Sequence, residues 1–165
     1  MIAEAERFLH FSLTPDQRKA VEEIASDLSG GRPMNRLLIG DVGTGKTAVA
    51  AIAAFIMVQN NRQAAIMAPT QTLSRQHLDF FSNLPGQTGF RPVLLTGDLK
   101  RSDREKIYSK IERGHYNLVL GTHSLIQERL VFADLGLAVV DEQHRFGVRQ
   151  RTLMDRKGLP PHLLT

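Results

Sequence analysis

The sequence predicts a doubly wound α/β fold, a mostly parallel sheet with helices on both faces. Two observations lead there. Short aliphatic runs recur at residues 36–39, 64–68, 92–95, 117–120 and 137–140. Each is too short for a typical helix and apolar without clean alternation, the pattern of strands covered on both sides. Between the runs lie segments with helical spacing and helix-capping residues. Strands alternating with helices imply parallel βαβ units.

The helices follow in order. Thr14-Pro15-Asp16-Gln17 reads as a capping box with proline at the first helical position. Val21, Ile24, Ala25 and Leu28 continue it as a buried stripe, and Gly30, Gly31 and Pro33 end it. Residues 46–59 are apolar nearly all round, which predicts an interior helix beside the sheet. Leu73, His77, Phe80, Phe81 and Leu84 mark a third helix. Ser102-Asp103-Arg104-Glu105 reads as a second capping box, followed by Ile107, Tyr108 and Ile111 as a buried face and Gly114 as its C-cap.

Composition narrows the classes. The 165 residues fit one domain with a continuous core. Twenty-one Lys+Arg against 17 Asp+Glu is a mildly basic balance, compatible with a polyanionic partner but not demanding one. The absence of cysteine excludes disulfides and thiolate metal sites, and fits a cytosolic protein. The N-terminal residues lack the charged-then-apolar order of a signal peptide. The longest apolar stretch, 48–58, is too short to span a bilayer, so no membrane partner is expected.

Two motifs carry chemistry. Gly40, Asp41, Val42, Gly43, Thr44, Gly45, Lys46 and Thr47 form a G-x-x-x-x-G-K-T phosphate loop between a predicted strand and a predicted helix. Its glycines let the backbone turn so that consecutive N–H groups face a phosphate, above the positive end of the following helix. Lys46 supplies a charge for the β- and γ-phosphates, and the Thr47 hydroxyl is a candidate Mg²⁺ ligand. Residues 137–140 then run into Asp141 and Glu142, at a strand end where open α/β sheets place their ligands. Asp141 would hold Mg²⁺, and Glu142 would accept a proton from the water attacking the γ-phosphate. Metal ligation by His115, His123 or His144 is not expected, since none has a ligand-spaced partner.

With these motifs in hand, the chain resembles the first, RecA-like motor domain of superfamily 2 helicases. The matching stretches are Phe11-Ser12-Leu13-Thr14 with Gln17, GDVGTGKT at 40–47, MAPTQTLSRQH at 67–77, LLTGDLK at 94–100, GTHSLIQE at 121–128 and DEQHRFGVRQR at 141–151. The GDVG start, the GTH and the RFGV narrow the resemblance to the RecG family of bacterial ATP-dependent DNA helicases and to the transcription-repair coupling translocases. Gln143 and the closing PHLL favour RecG, which remodels branched DNA and stalled forks in recombination and repair. The resemblance implies ATP and Mg²⁺ as cofactors and a cytoplasmic, bacterial setting. It implies that Gln17 reads the adenine edge, although the same side chain fits the third position of the capping box. It implies sequence-independent contacts to a DNA backbone from Pro69, Thr70, Gly97, Gly121, Thr122 and His123, with helix capping as the plain alternative for Thr70 and Thr122. Gln143 and His144 would couple nucleotide state to the DNA side.

The family pattern continues into a second RecA-like domain carrying charge-stabilising arginines, and includes a DNA-splitting wedge domain. Residues 1–165 therefore read as one N-terminal motor domain, nearly inactive by itself. Two readings from other classes compete. A small-molecule phosphotransferase would need an arginine-rich lid, which no segment before the acidic box provides. A non-catalytic nucleotide-gated module is opposed by intact Lys46, Thr47, Asp141 and Glu142.

Overall fold

The computed structural model describes residues 2–9, 12–141 and 160–165. Among the described residues six parallel strands form one sheet: β1 (Asn35–Arg36), β2 (Gln63–Met67), β3 (Pro92–Leu95), β4 (Leu118–Gly121), β5 (Leu135–Val140) and β6 (His162–Leu164), in the order β1-β6-β5-β2-β4-β3. The same residues contain the α-helices α1 (Ile2–Leu9), α2 (Pro15–Leu28), α3 (Lys46–Gln59), α4 (Gln71–Ser82) and α5 (Arg101–Glu112).

Successive residues of each strand feed opposite faces, as the strand period requires. Ile66, Leu118, Leu120, Leu137, Val139 and Leu164 pack with α2 and α3 in one core. Their neighbours Met67, Val119, Ala138, Val140 and Leu163 pack with Tyr108 and Ile111 of α5 in the other. The expected two-sided arrangement is thus present. Helix α3 occupies residues 46–59 as predicted, with every residue from 48 to 58 buried. An interior helix has no polar face to conserve, which is why its sequence shows no amphipathic stripe.

The first capping box is complete. Thr14 Oγ1 accepts from the Gln17 N–H and Gln17 Oε1 accepts from the Thr14 N–H, with Pro15 opening α2. The second is not formed. Helix α5 starts two residues earlier, at Arg101, with Lys100 as its N-cap and no side-chain cap, so Ser102 lies inside the helix. The reason is the preceding turn: Arg104 donates to the carbonyls of Gly97 at 2.9 Å and Leu99 at 3.2 Å, which draws the first turn of α5 back onto that corner. The C-terminal expectation for α5 holds. Gly114 adopts φ +72°, and its N–H and that of His115 close onto Ile111 and Lys110 in a Schellman pair.

Two strand expectations change. The strand covers only the start of the run 36–39, with one further main-chain bond from the Leu38 N–H to Thr165 O, and Leu37 and Ile39 are exposed. Among the described residues β1 lies at the sheet's edge, so aliphatic composition there does not mean cover on both faces. Strand β6 adds a sixth ribbon between β1 and β5 that hydrophobic patterning of this short segment does not reveal. It is fixed partly by a polar contact, the Met34 N–H donating to His162 Nδ1 at 3.0 Å. Buried Gln63 at the base of β2 is similarly satisfied: it donates to the carbonyls of Ile111 and Tyr116 and accepts from the Asp134 N–H.

Candidate functional site

All six strands run the same way, so the segments that leave their C-terminal ends share one edge of the sheet. Following the strand order, that edge presents the phosphate loop after β1, Asp141 after β5, residues 68–70 after β2, residues 122–123 after β4 and residues 96–98 after β3. The nucleotide motifs occupy one half and the segments expected at DNA occupy the other. Adjacent strands lie about 4.8 Å apart, so the strands ahead of the phosphate loop and of residues 68–70, three spacings apart, are separated by about 15 Å.

The phosphate loop has the backbone its glycines predict. Gly43 and Gly45 sit at φ +82° and +77°, in the left-handed region, and Gly45 is the N-cap of α3. Glycine is favoured at 45 by torsion, and a Cβ there would in addition displace Gln17 Nε2 from its place against the loop. Lys46 opens α3 and its ammonium donates to the carbonyls of Gly40 and Asp41, the latter at 2.8 Å, inside the curve of the loop. Thr44 Oγ1 closes the loop onto Asp41 O at 2.8 Å. Thr47 and Val42 are exposed at the mouth.

Gln17 joins two of the predicted features. While Oε1 completes the helix cap, Nε2 donates to Thr44 O at 2.7 Å, tying the start of α2 to the phosphate loop. The amide thereby spends one N–H and one lone pair and keeps one of each.

Asp141 follows β5, with its N–H donating to Met67 O at 2.9 Å. His77 of α4 stands beside it, Nε2 3.5 Å from Oδ2. That separation exceeds a normal hydrogen bond, and Nε2, although shut off from solvent, makes none. The imidazole holds the Asp141 carboxyl below its usual range; Lys46 adds to this and partial burial opposes it. Sequence reading places His77 only on the apolar stripe of its helix, and no spacing signal links it to Asp141. Glu142, Gln143 and His144 lie outside the described residues.

On the other half of the edge, Thr70 is the N-cap of α4, its Oγ1 accepting from the Leu73 N–H at 3.2 Å. Capping uses the oxygen as acceptor, and the exposed hydroxyl proton remains a donor. Thr122 precedes a short 3₁₀ turn, 123–126, without a side-chain cap. Gly97 and His123 are exposed, and Pro69 is half-buried. Gly121 differs from these. It is buried at the end of β4, its carbonyl accepts from Ala68, and a Cβ there would collide with the Leu95 carbonyl. Its glycine serves close strand packing, which leaves Thr122 as the polar group at that corner.

A glycine-turned phosphate cradle at the head of a buried helix, facing an ionised aspartate from a nearby strand end, defines a P-loop nucleotide-binding domain. The DEAD/DEAH box helicase family matches residues 14–158, and the chain belongs to that family. It is 46% identical over 158 residues to the ATP-dependent DNA helicase RecG of Aquifex aeolicus, and 45% identical over 156 residues to that of Streptococcus pneumoniae. Each alignment covers 94% of this chain but only 20% and 23% of those proteins, so the chain spans about a fifth of the relatives it matches. A solved structure of RecG bound to a three-way DNA junction superposes with a TM-score of 0.82 at 38% identity, over 99% of this chain and 22% of that one. The helicase MrfA, solved with DNA and AMPPNP, shares the fold at 15% identity, with a TM-score of 0.67 over 91% of this chain and 23% of that one. Among the described residues no helix is long and apolar enough to cross a membrane.

Proposed function

We propose that residues 1–165 are the first motor domain of a bacterial, cytoplasmic DNA helicase or translocase that couples ATP hydrolysis to remodelling of branched DNA and stalled forks. The observation that carries this reading is the single sheet edge on which the phosphate loop and Asp141 lie beside the segments ending β2, β4 and β3. The sequence relatives named above are RecG helicases, and a RecG solved on a three-way DNA junction superposes on this chain, which favours that reading over the transcription-repair translocase.

In this reading the loop N–H groups and the first turn of α3 cradle the phosphates, and Lys46 turns from the Gly40 and Asp41 carbonyls to the β- and γ-phosphates. Gln17 meets the adenine edge with its remaining N–H and lone pair, so the cap and the base contact are compatible. Mg²⁺ would be held by the Thr47 hydroxyl and the Asp141 carboxylate, and supplies charge neutralisation to the phosphates when bound. An Asp141 carboxyl shifted toward its ionised form and an exposed Thr47 hydroxyl suit a hard, oxygen-seeking cation. Glu142 takes the proton from the attacking water, and Gln143 and His144 couple the site to DNA. Thr70, Thr122 and the backbone of Pro69, Gly97 and His123 hold the phosphates of one DNA strand without reading bases. A second RecA-like domain of the same protein completes the site.

In the full-length protein, Lys46→Ala should abolish tight ATP binding, whereas Glu142→Gln should retain binding and stop turnover. Nucleotide affinity by equilibrium titration beside DNA-stimulated phosphate release makes the separation. Equal loss of affinity in both variants would refute the division of roles.

A further inference from the structure

Helix α4 is held firmly where it passes Asp141. Its N-terminus is capped by Thr70, Arg75 pairs with Asp98 at 3.2 Å, and Phe81 sits edge-on between Phe80 and Phe90 at ring separations of 5.2 and 5.1 Å. The backbone of Asp141 is equally fixed through Met67. Between these two fixed points His77 Nε2 is hidden from solvent, unpartnered, and aimed at Asp141 Oδ2. A buried nitrogen without a hydrogen-bond partner is unfavourable. The acceptor facing His77 Nε2 is Asp141 Oδ2, 3.5 Å away and just beyond normal hydrogen-bond length.

We propose that His77 is a positioning residue for the nucleotide's metal site: with its proton on Nε2 it holds Oδ2 of Asp141, leaving Oδ1 for the metal's coordination shell. This rests on the reading of Asp141 as a metal ligand. Ligating carboxylates are commonly oriented by such outer partners, whose loss weakens metal binding by about 10-fold or more. A histidine serving only as core filler on the apolar side of α4 has no need of a carboxylate at that nitrogen. Seven residues along the same helix is Thr70, so the donor sits on the element whose first turn faces the proposed DNA track.

The test uses the full-length protein and reads Mn²⁺ binding to its ADP complex by electron paramagnetic resonance, together with the Mg²⁺ requirement for ATP turnover. His77→Phe keeps a ring without the donor, His77→Leu removes both, and His77→Gln restores an N–H at similar reach. Phe and Leu should each raise the Mn²⁺ dissociation constant about 10-fold and shift the Mg²⁺ requirement in parallel. Metal-free nucleotide affinity in EDTA should stay within about twofold, and Gln should recover most of the loss, as a positioning role requires. Having both Phe and Leu keeps the test open if one variant fails to fold. Asp141→Asn runs alongside. If it weakens Mn²⁺ while His77→Phe and His77→Leu do not, the positioning role is overturned and the metal reading stands. If Asp141→Asn leaves Mn²⁺ unchanged, the metal reading itself fails and takes the proposal with it. Equal losses in His77→Phe, His77→Leu and His77→Gln would show packing rather than donation, and would also overturn it.

Discussion

Gly45→Ala probes the joint between helix capping and phosphate binding. At φ +77° an L-residue costs about 1–2 kcal/mol relative to its preferred conformations. The new methyl group also collides with Gln17 Nε2, the far end of a flexible side chain. Gln17 can swing away, but only by surrendering its 2.7 Å bond to Thr44 O, an exposed interaction worth about 0.5–1 kcal/mol. The sum is about 2 kcal/mol, which for a domain of this size lowers the melting temperature by roughly 4–8 °C. Gly43→Ala is the control: φ is +82° but a Cβ there meets nothing within 4 Å, so only the torsional cost of about 1–2 kcal/mol applies. A double-mutant cycle isolates the contact. Gln17→Ala by itself loses its half of the capping box and the Thr44 bond, about 1–2 kcal/mol. Combined with Gly45→Ala, the Thr44 bond cannot be lost twice, so the pair should be less destabilising than the sum by about 0.5–1 kcal/mol. The assay is urea unfolding of all four proteins, with equilibrium nucleotide titration beside it. Additivity within about 0.3 kcal/mol would refute the idea that Gln17 and Gly45 share a packing constraint.

Further predictions concern the core, the pH response and DNA. Gln63→Leu takes away the side-chain partner of the part-buried Asp134 N–H and Tyr116 carbonyl, while the Ile111 carbonyl keeps the Gly114 N–H, and should cost about 1–3 kcal/mol in urea denaturation; a loss under about 0.5 kcal/mol would contradict that role. His162 is buried with Nδ1 accepting from Met34, and burial, aided by Arg62 and opposed by Asp27, lowers its pKa below the usual 6.5. The unfolded chain therefore binds the proton first, so this stability is complete above pH about 6.5 and drains away as pH falls through the lower folded value. His162→Asn, which keeps an acceptor without titrating, should flatten that slope in denaturation midpoints measured between about pH 7.5 and 5. Thr122→Ala in the full-length protein should weaken binding to two scrambled DNA sequences in parallel and with strong salt dependence. A sequence-selective loss in fluorescence anisotropy would count against backbone contact.

Much of this architecture is legible along the chain because its signals are local. The capping box at Thr14–Gln17, the interior helix 46–59 and the Gly114 C-cap each depend on residues within one or two helical turns, and each forms as read. The edge exposure of Leu37 and Ile39 and the insertion of β6 between β1 and β5 depend on which strand lies beside which. Composition alone does not encode that. Ser102 shows the same limit in reverse: a local cap pattern yields to the pull of Arg104 on a turn outside the helix.

The nucleotide motifs were legible for a chemical reason. A phosphate cradle demands glycines, a lysine and a hydroxyl at set spacing on contiguous backbone, so the demand is written in consecutive residues. What those motifs face was decided only by tertiary structure. The parallel sheet brings the end of β5 near the loop after β1, sets His77 of α4 against Asp141, and ties Gln17 to Thr44. It also turns Gly121 from a surface candidate into a packing residue against β3. Such pairings join residues distant in sequence through strand order and helix packing, and neither residue type nor spacing marks them in advance.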